Sequence, residues 1–210
     1  MITRNEFKVP FERNSLSEIL SHLTMSGFFP QHSVRRVSSV YFDTPDLVLH
    51  RLGQEGVVPR DKVRLRWYGH QEFDMAKTTL EIKRTLAASR EKYTEKFSNL
   101  SKSGNHKIDY LTYYKDQIGS KKLQPIVCVA YDRSYFANRE NSRATIDTNI
   151  HYHKCLLTPD GRLITMQYAR EDLNVLEMKD AGFDRALKNV FESRRIWLRF
   201  SKYSLAVESF

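Results

Sequence analysis

Three short motifs in this 210-residue sequence set a carboxylate two residues before an ammonium: Glu6-Phe-Lys8, Glu81-Ile-Lys83 and Glu177-Met-Lys179. In a β-strand, residues i and i+2 share one face about 7 Å apart. The carboxylate is then placed to hold a hard divalent cation such as Mg²⁺ or Mn²⁺, which takes oxygen ligands, while the ammonium reaches a phosphate on the same ion. One such motif alone is a surface ion pair worth little. Three of them direct attention to the strands that carry them.

Those strands share a pattern. In Asp61-Lys-Val-Arg-Leu-Arg-Trp-Tyr68, Lys62, Arg64, Arg66 and Tyr68 alternate with Val63, Leu65 and Trp67. Successive strand side chains point to opposite faces, so cations take one face and apolar groups the other. Taking one parity from each strand-like segment collects Lys8, Arg64, Arg66, Lys83, Lys96, Arg133, Arg143, Lys179 and Lys202, with Glu6, Glu81 and Glu177 among them. Unpaired cations in a dry core are prohibitive, so this face must meet water, an anion or its own acids. A half-exposed sheet with helices over its apolar side and a barrel with its cations turned inward give the same periodicity. Alternation alone leaves both open.

The elements that must position these groups read as mostly antiparallel strands with a few helices. Strands are expected over Arg4–Val9, Arg35–Thr44, Asp61–Tyr68, Thr78–Arg84, Lys92–Phe97, Ile126–Phe136, Arg143–Thr148 and Asn174–Asp180, with a closing segment over Phe200–Val207. Ser15-Leu-Ser-Glu18 has capping-box form and opens a helix carried by Leu16, Ile19, Leu20 and Leu23, which Gly27 ends. Further helices are expected over 106–118 and 184–195, and a loop containing Gly53, Gly56 and Pro59 before residue 61.

Lys plus Arg exceed Asp plus Glu by 34 − 25 = 9, which points to a polyanionic partner. The composition is that of a folded chain, with no run of ~18 apolar residues and no signal-peptide core at the start. Cys128 and Cys155 have no metal-type spacing, and a reduced, cytoplasmic protein is the simplest expectation. His151 and His153 lack a third clustered ligand and read as structural or exposed. The whole chain, 1–210, reads as one domain.

With these residues laid out, the sequence resembles the polyphosphate polymerase domain of the vacuolar transporter chaperone (VTC) complex, of the triphosphate tunnel metalloenzyme (CYTH-like) superfamily. The blocks that carry the resemblance are Arg4-Asn-Glu-Phe-Lys8, Val40-Tyr-Phe-Asp-Thr44, Lys62 to Gly69, Leu80-Glu-Ile-Lys-Arg84, Tyr131-Asp-Arg-Ser-Tyr-Phe136, Arg143 to Thr148, Val175 to Lys179 and Ser201-Lys-Tyr-Ser204. The resemblance implies an α+β fold, an antiparallel β-barrel forming a cationic tunnel with a few flanking helices. It implies transfer of the γ-phosphoryl group of ATP to a growing polyphosphate chain, with Mn²⁺ or Mg²⁺. Lys8, Arg64, Arg66, Lys83, Lys96, Arg133, Arg143, Lys179, Ser201 and Lys202 match phosphate-binding positions. Arg133, Arg143, Lys83, Lys96 and Glu177 are the expected catalytic set, and Glu177, Glu6 and Glu81 the expected metal ligands. ATP and polyphosphate or orthophosphate are the implied partners, with no nucleic acid. The phosphate-sensing domain and membrane helices of the eukaryotic complexes are not in this sequence, so a separately encoded membrane or regulatory partner is expected.

The chemistry agrees. Phosphoryl transfer asks for in-line positioning and neutralised charge, which Arg and Lys supply without a side-chain nucleophile. Two other activities fit the same residues: an inorganic or nucleoside triphosphatase with water as acceptor, and a non-catalytic module binding polyphosphate, inositol phosphates or RNA. Glu81 and Glu177 disfavour pure anion binding, since they repel phosphate unless a metal lies between.

Overall fold

The computed structural model describes residues 5–70, 72–96, 123–158, 162–180 and 200–210. Among these described residues nine strands and three α-helices follow in the order β1 (Asn5–Glu12), α1 (Leu16–Met25), β2 (Phe29–Asp43), α2 (Val48–Glu55), β3 (Arg60–Tyr68), β4 (Thr79–Thr85), β5 (Arg90–Lys96), β6 (Gln124–Ala137), β7 (Arg143–Leu157), β8 (Leu163–Arg170), β9 (Leu173–Asp180) and α3 (Lys202–Glu208). The strands hydrogen-bond in the order β1-β9-β7-β6-β2-β3-β4-β5, with β8 added beside β7. The architecture is the expected mostly antiparallel α+β one. The expectation of a closed barrel needs correcting, because among the described residues β1 and β5 end the strand order and the sheet stays open. Arg4 and the expected helices over 106–118 and 184–195 lie outside the described residues.

The chain divides into two compact units. The first takes Met1–Arg36, Ala130–His151 and Arg170–Ser201. In it β9 lies between β1 and β7, antiparallel to both. Val9, Phe11, Ala144, Ile146, Leu176 and Met178 alternate onto one face, where Ile19 and Leu23 of α1 cover them together with Phe28 and Phe136. Burying side chains of this size stabilises by roughly 1.5–3 kcal/mol each. α1 ends as expected at Gly27, whose φ of 76° a glycine adopts without strain. Its capping box does not form. A 3-10 turn over Arg13–Ser15 runs straight into the helix, Ser15 has helical backbone angles, and its side chain makes no capping bond.

The second unit takes Val37–Val129, Tyr152–Ala169 and Lys202–Phe210. Its core gathers the alternate residues Val40 and Phe42, Val63, Leu65 and Trp67, and Leu80 and Ile82, closed by Leu49 of α2 and by Cys128 and Cys155. Residues 48–55, expected as loop, form α2, with Gly53 inside it and Gly56 as its left-handed end. The helix is fastened from outside. The fully buried Asp43 carboxylate accepts from the amides of Thr44, Leu49 and His50 at 2.7, 2.8 and 2.8 Å, and Thr44 Oγ1 accepts from the Val48 amide at 3.0 Å. Asp43-Thr44 is thus a helix anchor as well as a turn. Tyr203 of α3 donates to the same carboxylate and stacks on Tyr41, with ring centroids 5.0 Å apart. Burial, then the bond to Asp43, pushes the Tyr203 phenol far above its ordinary range. Both thiols are buried, and burial pushes Cys155 up.

Candidate functional site

Because the odd residues of β1 and β3 and the even residues of β2, β4, β7 and β9 fill the cores, the opposite parity in each unit is delivered to a single polar face. In the second unit that face is built in rungs. Ser39, Arg66, Thr79 and Lys96 lie directly opposite one another across β2–β5, as do Tyr41, Arg64, Glu81 and Thr94, and then Lys62, Lys83 and Lys92.

Glu81 is the hub of these rungs. Its Oε2 accepts from Arg64 Nε at 2.8 Å and also from Arg64 Nη2, and faces Arg66 Nη1 at 3.6 Å. Its Oε1 accepts from Lys92 Nζ at 3.1 Å. The remaining Arg64 nitrogen, Nη1, donates to the Tyr41 hydroxyl at 2.8 Å, and Arg66 Nε donates to Ser39 Oγ at 3.2 Å. Burial alone would push the Glu81 carboxyl up, but the Arg64 and Arg66 charges and the bonds from Arg64 and Lys92 hold it at about 2. Tyr41 is governed by the same contest. Burial opposes its ionisation, yet Arg64, Arg66 and Lys62 bring the phenol down to about 7. Arg64 is therefore held rigidly on two sides before any ligand arrives, which is electrostatic preorganisation in the usual sense.

In the first unit β1, β9 and β7 set Glu6 opposite Lys179, Lys8 opposite Glu177, Arg143 opposite Lys179 and Thr145 opposite Glu177. Arg133 of β6 grips Asp147 with both arms, Nε to Oδ1 at 2.6 Å and Nη2 to Oδ2 at 2.7 Å, and its Nη2 lies 3.8 Å from Glu177 Oε2. Its guanidinium carbon sits 5.1 Å from the Tyr131 ring centroid. Burial works against the Arg133 charge, but the Asp147 carboxylate, then Tyr131 and Glu177, outweigh it and raise the Arg133 pKa well above its ordinary value. Lys179 Nζ reaches Glu177 Oε1 at 3.1 Å, and Lys8 Nζ reaches Glu6 Oε1 at 3.3 Å.

Each unit thus gathers part of the expected set. Arg64, Arg66 and Glu81 are in direct contact, with Lys83 and Lys96 exposed on the same face. Glu6, Lys8, Arg133, Glu177 and Lys179 form the other group, with Arg143 exposed at its edge. Ser201 and Lys202 are part-buried at the start of α3, so Lys202 is a helix residue and not the strand residue its parity suggested. The reading of single residues missed Asp147, Tyr41 and Lys92. Asp147 shares the parity of Arg143 and was the signal for a buried partner to Arg133.

Among the described residues no cluster of three or more His, Cys, Asp or Glu side chains is disposed around a metal position. A hard divalent ion that takes one or two carboxylates and completes its shell with phosphate and water needs no such cluster. Glu177 and Glu6 fit that donor set. They sit on neighbouring strands one diagonal step apart in the register, within reach of a common ion. All three expected acids face cations in the structure: Glu177 meets Lys179 and Arg133, Glu6 meets Lys8, and Glu81, the most enclosed, meets Arg64, Arg66 and Lys92. His153 packs its ring on Tyr168, with centroids 5.1 Å apart.

The mostly antiparallel nine-stranded sheet found among the described residues matches the CYTH-like fold. Solved structures that share it include the following three. A Hippeastrum protein described as an adenylyl cyclase with a dominant triphosphatase activity is 14% identical, with 99% of this chain and 96% of that chain covered and a TM-score of 0.56. A candidate adenylate cyclase of Bacillus halodurans is also 14% identical, over 90% and 88% of the two chains, at 0.52. A Pyrococcus horikoshii protein is 12% identical, over 98% and 100%, at 0.51. At such identities the likeness concerns the fold. No curated protein sequence matches significantly. The VTC domain family matches residues 4–210, and the chain belongs to that family.

Proposed function

We propose that this protein is an ATP-dependent polyphosphate polymerase, moving the γ-phosphoryl group of ATP to the end of a growing polyphosphate. The observation that carries the proposal is the prearranged cation face of β3–β5, with Arg64 locked between Glu81 and Tyr41, in a chain of the VTC domain family. Arg64, Arg66, Lys83 and Lys96 bind phosphate oxygens on one unit; Lys8, Arg133, Arg143 and Lys179 do so on the other, and Ser201 and Lys202 add contacts from the start of α3. Arg133, Arg143, Lys83 and Lys96 neutralise charge as the phosphoryl group moves, and a terminal phosphate oxygen serves as nucleophile. Glu177 with Glu6 would hold Mn²⁺ or Mg²⁺, which supplies further charge neutralisation at the phosphates. Each of these acids, and Glu81 as the third candidate, would exchange a present cation contact for the ion: Glu177 with Lys179 and Arg133, Glu6 with Lys8, Glu81 with Arg64 and Lys92. The single match across residues 4–210 supports treating the two units as one working domain. Among the described residues no helix is long and apolar enough to cross a membrane, and a cytoplasmic site of action is part of the proposal.

A second reading, triphosphatase activity with water as acceptor, draws on the activity described for the Hippeastrum protein of the same fold. The purified protein incubated with ATP and Mn²⁺, with products resolved on a polyphosphate gel beside a free-phosphate assay, separates the two. Long chains are expected. Orthophosphate alone would replace the polymerase with the triphosphatase, and neither product would leave an anion-binding module.

A further inference from the structure

The polar face of the first unit carries one group of side chains that the phosphate chemistry leaves unused. β6 places Tyr135 two residues beyond Arg133, so the phenol shares the face of that guanidinium, about 7 Å further along the strand. Phe136, on the opposite parity, packs in the core with α1, which fixes the side to which Tyr135 belongs. β2 brings two partners to the ring. The Arg35 guanidinium carbon lies 5.9 Å from the Tyr135 ring centroid, and the His32 ring meets it edge-on, with centroids 5.8 Å apart and planes at 70°. Arg36 is satisfied by Asp132 at 3.2 Å, whereas among the described residues Arg35 and His32 meet the Tyr135 ring alone. Residues 29–35 of β2 are all exposed, so both partners reach the ring from a solvent-facing stretch of strand. A guanidinium over a phenol is ordinary surface packing by itself. This one stands apart by its place, one step along the strand from Arg133 and on the same face.

We infer that Tyr135, Arg35 and His32 form a nucleobase subsite, which takes the base of a purine nucleoside triphosphate whose phosphates lie on Arg133 and its neighbours. The inference rests on the ATP reading above and adds to it where the base is held and by what. A base between phenol and guanidinium needs a spacing of about 7 Å, twice the stacking distance along a nucleic-acid strand. From the present 5.9 Å, the exposed Arg35 side chain reaches that spacing by moving out about 1 Å. The base then has the phenol on one side, the guanidinium on the other and the imidazole at its edge. Stacking reads a π-face and not a hydrogen-bonding edge, so the subsite adds to the affinity of a nucleotide without telling adenine from guanine. One platform suits one base. Single-stranded nucleic acid, which uses a succession of them, is the poorer occupant.

The test is calorimetric titration of wild type, Tyr135→Leu, Tyr135→Phe and Arg35→Gln with ATP, GTP and tripolyphosphate at physiological ionic strength, the last ligand carrying phosphates without a base. Tyr135→Leu is expected to weaken ATP and GTP about tenfold, the scale of one lost base–aromatic stack, while tripolyphosphate affinity holds within about twofold. Arg35→Gln should weaken both nucleotides about threefold with the same indifference to tripolyphosphate. Tyr135→Phe keeps the ring and should keep nucleotide affinity within about twofold of wild type. Thermal melts establish folding, and should Tyr135→Leu fail to fold, the exposed-site variants Arg35→Gln and His32→Ala carry the test. Unchanged nucleotide binding, equal losses for ATP and tripolyphosphate, or a Tyr135→Phe as weak as Tyr135→Leu overturns the subsite while the function stands. A wild type that binds neither ATP nor tripolyphosphate overturns both. A single-stranded RNA that binds more tightly than ATP and loses as much in Tyr135→Leu overturns the choice of ligand.

Discussion

Asp147→Asn is the substitution whose cost the geometry defines most sharply. The side chain is fully buried and takes both arms of Arg133 at 2.6 and 2.7 Å. Removing its charge leaves the Arg133 guanidinium in place with Glu177 at 3.8 Å as its nearest described carboxylate. Deleting one partner of a buried pair costs about 3–5 kcal/mol, because the other charge stays behind uncompensated. Asparagine keeps one oxygen able to accept one of the two bonds, so the low end, about 3 kcal/mol, is expected. That is a large share of a total stability of about 5–15 kcal/mol. It corresponds to a fall of about 6–12 °C in melting temperature at about 2–4 °C per kcal/mol for a chain of this size. Urea denaturation of Asp147→Asn, Arg133→Met and the double variant measures it. The double variant should recover part of the loss, since no buried cation then remains. A single-variant change within about 0.5 kcal/mol of wild type, as for an ordinary surface site, would refute the reasoning. So would strict additivity in the double variant.

Three further outcomes follow from the second unit. Glu81 has a folded pKa of about 2 against an ordinary 4.5, so its contribution to stability is complete above the ordinary value and is lost as pH falls towards 2; Glu81→Gln should flatten acid denaturation over that range. Tyr41 ionises near 7 when folded and near 10 when unfolded, so the unfolded chain holds the extra proton and stability should rise from pH 7 to 10. Tyr41→Phe should abolish both that rise and the early phenolate absorbance, and a phenolate signal confined to alkaline pH would remove the proposed grip of Arg64 on Tyr41. Tyr203→Phe takes a donor from the buried Asp43 carboxylate and should cost about 1–3 kcal/mol in denaturant titration; an unchanged midpoint would show that α3 is not fastened there.

The strands that β3 and β4 exemplify were legible because a single residue type alternated with a single environment over their whole length. Lys62 to Trp67 and Leu80 to Lys83 sort cleanly into face and core. β8 escaped notice since Ile164 to Tyr168 are exposed on both parities, leaving no alternation to detect. α2 was read as loop because Gly53 and Gly56 signal a break, whereas Asp43 and Thr44, outside the helix, tie down its first turn. Lys202 was assigned by strand parity, yet its segment is a helix anchored through Tyr203 to a residue 160 positions away in the chain. In each case the deciding interaction was tertiary. At the site, cation parity foretold which side chains share a face. It did not say which acid pairs with which cation, and so Asp147 went unassigned as the partner of Arg133, and the contacts of Glu81 with Arg64, Arg66 and Lys92 were not foreseen.

The rungs of β3, β4 and β5 also govern how this part of the chain is able to change over evolutionary time. Removing one residue from β4 would carry Glu81 and Lys83 into the space of Leu80 and Ile82, and bring those apolar groups out among the arginines. Site and core would fail together, since each is the other's reverse side. Such strands accept substitution residue by residue but admit insertions and deletions only in their connecting loops. Length variation among relatives of this chain should therefore collect between β3 and β4 or between β4 and β5, never within them.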